Sequence, residues 1–268
     1  MHFRTIALLI AATCLGGTAQ AARQPGEPFH PGMNFFSKEQ DVQLGREAAQ
    51  QVRQKYREAR SPVLQDYVRT LGQRLASTPQ ARESGFPFNF TVLEDKSVNA
   101  FALPGGPMFI FTGLIRNVDN EAQLAAVMSH EMAHVILRHG THEASKANLI
   151  KLPVLLAGEA LGSQSLLTML TNLGANAFIL KYSRDAESEA DALGAHLMAE
   201  AGYDPAEMAR FFNKLNAAGG RSSSWTQFLS DHPNPGNRER AILQEAQLIQ
   251  GRYGYETGGF QRAKSEVR

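Results

Sequence analysis

Asn120-Glu121-Ala122-Gln123-Leu124-Ala125-Ala126-Val127-Met128-Ser129-His130-Glu131-Met132-Ala133-His134-Val135-Ile136 combines helical spacing with residues that a helix interior seldom tolerates. Asn120 with Gln123 three positions on is an N-cap, and the pattern predicts a helix to Gly140 with Arg138 and His139 in its last turn. Leu124, Val127, Met128, Val135 and Ile136 make that helix largely buried. His130 and His134 stand four apart, so both imidazoles share one face about one turn from each other, which suits a single tetrahedral metal ion. Glu131 lies beside the first histidine, within reach of a water at the metal and without being a ligand. Three fixed residues arise by chance in about one chain per hundred of this length, so spacing alone decides little. Burial adds the weight, because two imidazoles and a carboxylate inside an apolar helix are costly without partners, and a metal removes that cost.

A catalytic metal needs a third protein ligand and one open position. A continuation with glycine at 137 and histidine at 140 is absent, since the chain has Leu137 and Gly140. Glu187-Ser188-Glu189-Ala190-Asp191 offers the gluzincin alternative: a glutamate on a second helix, and four residues later an aspartate that accepts the other ring N–H of a ligand histidine. Glu187, Ala190, Asp191 and Gly194 share one helical face. Glu189 points about 200° away from Glu187, which leaves it either behind the ligands or solvated. Of the remaining histidines, His139 and His142 read as cap or dipole residues at a helix end, and His196 as packing. His232 differs: in Ser230-Asp231-His232-Pro233-Asn234-Pro235 the prolines stiffen its loop, and its imidazole can cap the metal's open position or donate to a developing oxyanion.

Outward from this centre, Ser37-x-x-Gln40 opens a helix predicted over Lys38 to Ala59, and a second follows Ser61-Pro62 with Leu64, Tyr67, Val68, Leu71 and Leu75. From Phe86 the period becomes two, with Phe88, Phe90 and Val92 on one face and Asn89 and Thr91 on the other. Val98 to Leu103 and Met108 to Thr112 read as further strands about a Gly105-Gly106 turn. Helices are expected over Asp185 to Ala201, after Asp204-Pro205, and last around Ala241, Leu243, Ala246 and Ile249. The fold class is therefore α+β: a mainly helical metallopeptidase-like domain with a small sheet beside the His130–His134 helix.

A net charge of +1 over 268 residues gives no footprint for nucleic acid. Met1 to Arg4, the apolar stretch to Gly17 and Ala19-Gln20-Ala21 read as a signal peptide over 1–21, followed by a lead at 22–36, a catalytic domain at 37–250 and a loosely ordered tail at 251–268. Export to the periplasm follows from that reading. Cys14 is the only cysteine; as a lipid acceptor it is the weaker alternative, because Ala11 and Thr13 fit poorly before it. The uncharged run 160–180 is broken by Ser, Gln, Thr and Asn, which favours a lid over the site, or a peripheral membrane or outer-membrane assembly contact, above a bilayer helix.

Taken together, Asn99-Ala100-Phe101-Ala102-Leu103-Pro104-Gly105-Gly106, the His130 to His139 segment, Tyr182 to Asp191, and His232-Pro233 with Arg238 resemble the zinc metallopeptidases that include the CAAX prenyl protease and the heat-shock protease HtpX, the M48 family. The resemblance covers about Ser37 to Leu248 and implies one Zn2+ per chain on His130, His134 and Glu187, with Glu131 as general base. It further implies that Asp191, Glu189 and Arg238 support the ligands, that Asn99, Ala100, Phe101 and Ala102 align substrate by strand addition, and that His232 regulates access to the metal. The membrane helices of the prenyl protease and HtpX are absent, which turns the expected substrate from prenylated protein to unfolded or misassembled envelope polypeptide. Two rivals stand beside this reading: a periplasmic chaperone or assembly factor with a metal-latched site, and a hydrolase of cell-wall amides.

Overall fold

The computed structural model describes residues 23–29, 32–146, 182–218, 223–233 and 236–267. The readings placed on 1–21 and on 160–180 lie outside these residues. Helix α1 (Lys38–Lys55) starts in a reciprocal capping box between Ser37 and Gln40, and α2 (Pro62–Ala76) starts on the Ser61 hydroxyl with Pro62 in its first turn. A short helix α3 (Pro79–Ser84) leads into strands β1 (Asn89–Leu93), β2 (Ala100–Ala102) and β3 (Pro107–Phe111). The spatial order is β1-β3-β2, with β1 parallel and β2 antiparallel to the central β3, so β2 forms one edge.

Two expectations change here. α1 ends at Lys55 rather than Ala59, because the following backbone joins the sheet: Glu58 bridges Leu93, and the Ala59 N–H donates to the Val92 carbonyl at 2.9 Å. The sheet also buries both faces instead of one. Phe90, Val92, Met108 and Ile110 join the core with α2, while Leu93, Phe101, Phe109 and Phe111 pack with Ala48, Ala49 and Val52 of α1. Alternate residues thus enter opposite cores, and the polar-out pattern survives only at the start of β1, where Asn89 is exposed.

After α4 (Thr112–Asn117), the central helix α5 (Glu121–Ile136) starts on the Asn120 side chain and is buried along nearly its whole length. It stops four residues before Gly140. Arg138 takes a left-handed conformation at φ 58° and a new helical stretch begins at 139, so Arg138 and His139 are not in the last turn of α5. α6 (Arg184–Glu200) lies against α5, with Gly194 permitting the approach: a Cβ there would stand 3.2 Å from the His130 backbone nitrogen.

α7 (Ala206–Ala218) opens with the Ala206 N–H donating to the Asp204 side chain. α8 (Ser223–Asp231) was not expected; it delivers His232 at its end. α9 (Arg238–Leu248) turns Arg238, Ile242 and Glu245 inward and leaves Leu243 exposed, the opposite of its apolar pattern, because two buried charges have partners inside. The stretch from 251 is more ordered than expected: α10 (Phe260–Ser265) buries Phe260 and Ala263, with Phe260 against Tyr67 of α2. Among the described residues, no helix is long and apolar enough to cross a membrane.

Candidate metal centre

α5 brings His130 and His134 to one face, α6 brings Glu187 opposite them, and the end of α8 brings His232 over the top; all four are buried. The His130 Nε2 stands 3.1 Å from His134 Nε2, 3.2 Å from His232 Nδ1 and 3.3 Å from Glu187 Oε2. Glu187 Oε1 lies 3.4 Å from His134 Nε2 and 3.1 Å from His232 Nδ1. In a tetrahedral site with bonds of about 2.0–2.1 Å, ligand atoms lie about 3.3 Å apart. One nitrogen from each histidine and one oxygen of Glu187 lie within 4.8 Å of one another, a grouping that could hold a metal ion. Glu187 Oε2 is buried without a hydrogen-bond partner, as a ligand oxygen would be.

Burial and mutual charge shift these groups in different directions. Burial opposes charge on His130, yet Glu187 and Asp191 outweigh it and pull the imidazole up to about 9. Burial dominates at His134 and holds it well below the ordinary histidine value. Burial would raise Glu187, but His232 and His130 hold it well below the carboxylate range.

Around the four donors, Asp191 Oδ1 sits 2.9 Å from His130 Nδ1 and accepts 2.6 Å from Arg238, whose guanidinium lies 3.4 Å over the Phe212 ring. Glu131 is close to the cluster: its Oε1 is 3.2 Å from His232 Nε2, and its Oε2 accepts from the Ala102 N–H at 3.3 Å. Burial pushes its carboxyl up, against the pull of His232 and His130. Tyr182 stacks on His134 at 3.9 Å, with its hydroxyl driven upward by burial and by Glu131 and Glu187.

Glu189 and His139 meet where sequence reasoning did not join them. His139 Nδ1 is 2.9 Å from His134 Nδ1, and its Nε2 is 3.1 Å from Glu189 Oε2. His139 is no cap residue, and nothing in residue type signalled the backbone turn that brings it in. His142 contacts the Met33 carbonyl, and His196 Nε2–H donates to Glu245 at 2.8 Å rather than merely packing.

On β2 the alternation puts Asn99, Phe101 and Leu103 toward β3, so the Ala100 and Ala102 amides face outward. Asn99 Oδ1 accepts from the Ala100 N–H at 3.0 Å, and Asn99 Nδ2 donates to Asp231 at 3.1 Å. The edge strand, Glu131 and the His232 segment are thereby joined in one hydrogen-bonded set. Phe101 points away into the α1 core.

The sequence pattern described as Peptidase family M48 matches residues 62–246, spanning every element from α2 into α9 and all four clustered donors. The chain belongs to peptidase family M48. The beta-barrel assembly-enhancing protease of Escherichia coli is 32% identical over 248 residues, covering 87% of this chain and 50% of that protein. The putative beta-barrel assembly-enhancing protease of Vibrio cholerae is 32% identical over 244 residues, with 87% and 50% covered. The mitochondrial metalloendopeptidase OMA1 of Schizosaccharomyces pombe is 36% identical over 169 residues, with 62% and 49% covered. The chain thus spans about half the length of these curated M48 relatives.

Proposed function

We propose that the chain is a zinc-dependent endopeptidase of the bacterial periplasm acting on unfolded or misassembled envelope polypeptides, held here in a latched form. The observation that carries the reading is the set of four buried donors within 4.8 Å of one another with Glu131 alongside. His130, His134 and Glu187 would hold the ion. A bound zinc ion supplies Lewis acidity and a water whose pKa falls to about 7. Glu131, raised by burial, takes the water's proton and returns it to the leaving amine. The Ala100 and Ala102 amides align the substrate as an added strand, and Tyr182 or a displaced His232 donates to the oxyanion, a contribution of about 3 kcal/mol. His232 Nδ1, 3.2 Å from His130 Nε2 and 3.1 Å from Glu187 Oε1, would be a fourth ligand to the ion, so cleavage would require its withdrawal. One relative's name, a protease that enhances β-barrel assembly, supports a polypeptide substrate linked to such assembly.

The test is metal content and casein cleavage of the mature chain beside two variants. Glu131→Gln should retain one zinc and lose cleavage by about 10²-fold or more; cleavage at the parent rate by that variant rejects the mechanism. His232→Ala should cleave faster than the parent. His232 as a fourth ligand also favours a second reading, an assembly factor with a locked metal, and that reading predicts zinc binding with no cleavage even in His232→Ala.

A further inference from the structure

In an unbroken helix, a residue five positions after His134 would point about 140° away from it. Instead His139 lies under the His134 ring. The chain accepts a left-handed φ of 58° at Arg138, a residue type with no special tolerance for it, and restarts its helix at 139. Arg138 is fastened there by Asp41 Oδ2 at 2.6 Å and by the Phe36 carbonyl. The product of this turn is a file of three groups, the buried His134 and His139 and the partly exposed Glu189, linked at 2.9 and 3.1 Å. His134 turns its Nε2 toward Glu187, so its Nδ1 is the atom left to carry hydrogen.

We infer that His139 is a positioning residue of the metal centre: its Nδ1 accepts the His134 Nδ1–H, its Nε2–H donates to Glu189, and the ligand nitrogen of His134 is thereby kept bare and aimed. Each of the two histidines then has its own acceptor. Asp191 serves His130 directly, backed by Arg238, while Glu189 serves His134 through an imidazole relay. Each ring then carries one N–H, and both N–H groups point outward toward Glu189. An outer partner of this kind governs affinity for the ion as much as rate.

The inference rests on the proposed metal site, and the experiment separates the two. Zn2+ affinity is measured by chelator competition on the full chain, His134→Ala, His139→Ala, His139→Gln and Glu189→Ala, with melting of each metal-free form recorded alongside. His139→Ala should weaken Zn2+ binding by about 10–100-fold. His139→Gln should recover most of that loss, because an amide also accepts on one side and donates on the other. Glu189→Ala, a change at a half-exposed side chain, should weaken binding in the same direction and keeps the test open if His139→Ala fails to fold. Parent affinity in both Glu189→Ala and a folded His139 variant overturns the inference while leaving the metal site standing. A parent chain that binds no Zn2+ at one per chain, or a His134→Ala variant that binds as well as the parent, overturns the metal site and this inference together.

Discussion

Arg138 carries the one positive φ among the described non-glycine residues, a conformation that costs on the order of 1–3 kcal/mol. Its ion pair with Asp41 is the compensation, and Asp41 is 1% exposed. Arg138→Ala leaves that carboxylate buried and unpaired. We expect a loss of about 3 kcal/mol in urea denaturation, the low end for breaking a buried pair because Arg138 keeps some contact with water. Adding Asp41→Asn should return part of it, and no recovery would mean that the strain rather than the ion pair dominates. His130 and His134 were legible in the sequence because helical periodicity sets residues four apart on one face, with Glu131 beside the first; Glu187, on a second helix, was reached only through its spacing to Asp191. His139 was not, since a left-handed turn at arginine has no residue-type signature where glycine or asparagine would have announced one. The Asn99–Asp231 bond was equally silent: 132 residues separate the partners.

Helix contacts carry the next level. Gly194→Ala would place a Cβ 2.9 Å from the Met208 methyl and 3.2 Å from the His130 nitrogen. α6 must then move off α5, at about 1–3 kcal/mol of stability, and Glu187 moves with it. A melt that falls together with a weakened Zn2+ affinity is expected; a melt that falls alone would show that the two helices separate elsewhere. At the far side of α6, Glu245 of α9 accepts two bonds from Arg23 and one from the Gly26 N–H, and meets His196. Burial would raise this carboxyl, but the bonds from His196 and Arg23 outweigh it and bring it down to about 2, from 4.5. A folded-state value below the unfolded one contributes stability that is full above about pH 4.5 and is lost as the pH falls through 2. The melting midpoint should therefore decline across that window, and Glu245→Gln should show a shallower decline. The weak apolar pattern of α9 misled the sequence reading here, because Glu245, on the face that turns in, is paired with a residue 222 positions away.

For the molecule as a whole, the donors come from α5, α6 and the residue after α8, so an ion held by them joins three parts of the chain that are far apart in sequence. Zinc at a hundredfold excess over its dissociation constant should stabilise the fold by about 2.7 kcal/mol, or roughly 5–10 °C in melting midpoint. Calorimetry with and without chelator checks this, and equal midpoints would mean that the ion does not bridge these parts. The existence and type of most elements were readable from period and caps. α8 and α10 were not, because each is short and takes its order from burial of Phe228 and Phe260 in a core assembled elsewhere. The edge strand has one more effect. A sheet edge with free amides will pair with any extended chain, including a copy of its own molecule. In this protein the outward amides of β2 are occupied by Asn99 and Glu131, so while the centre is closed the edge offers nothing to templated self-association. The opening proposed for substrate would uncover the same edge, so a closed centre also guards the chain against clumping.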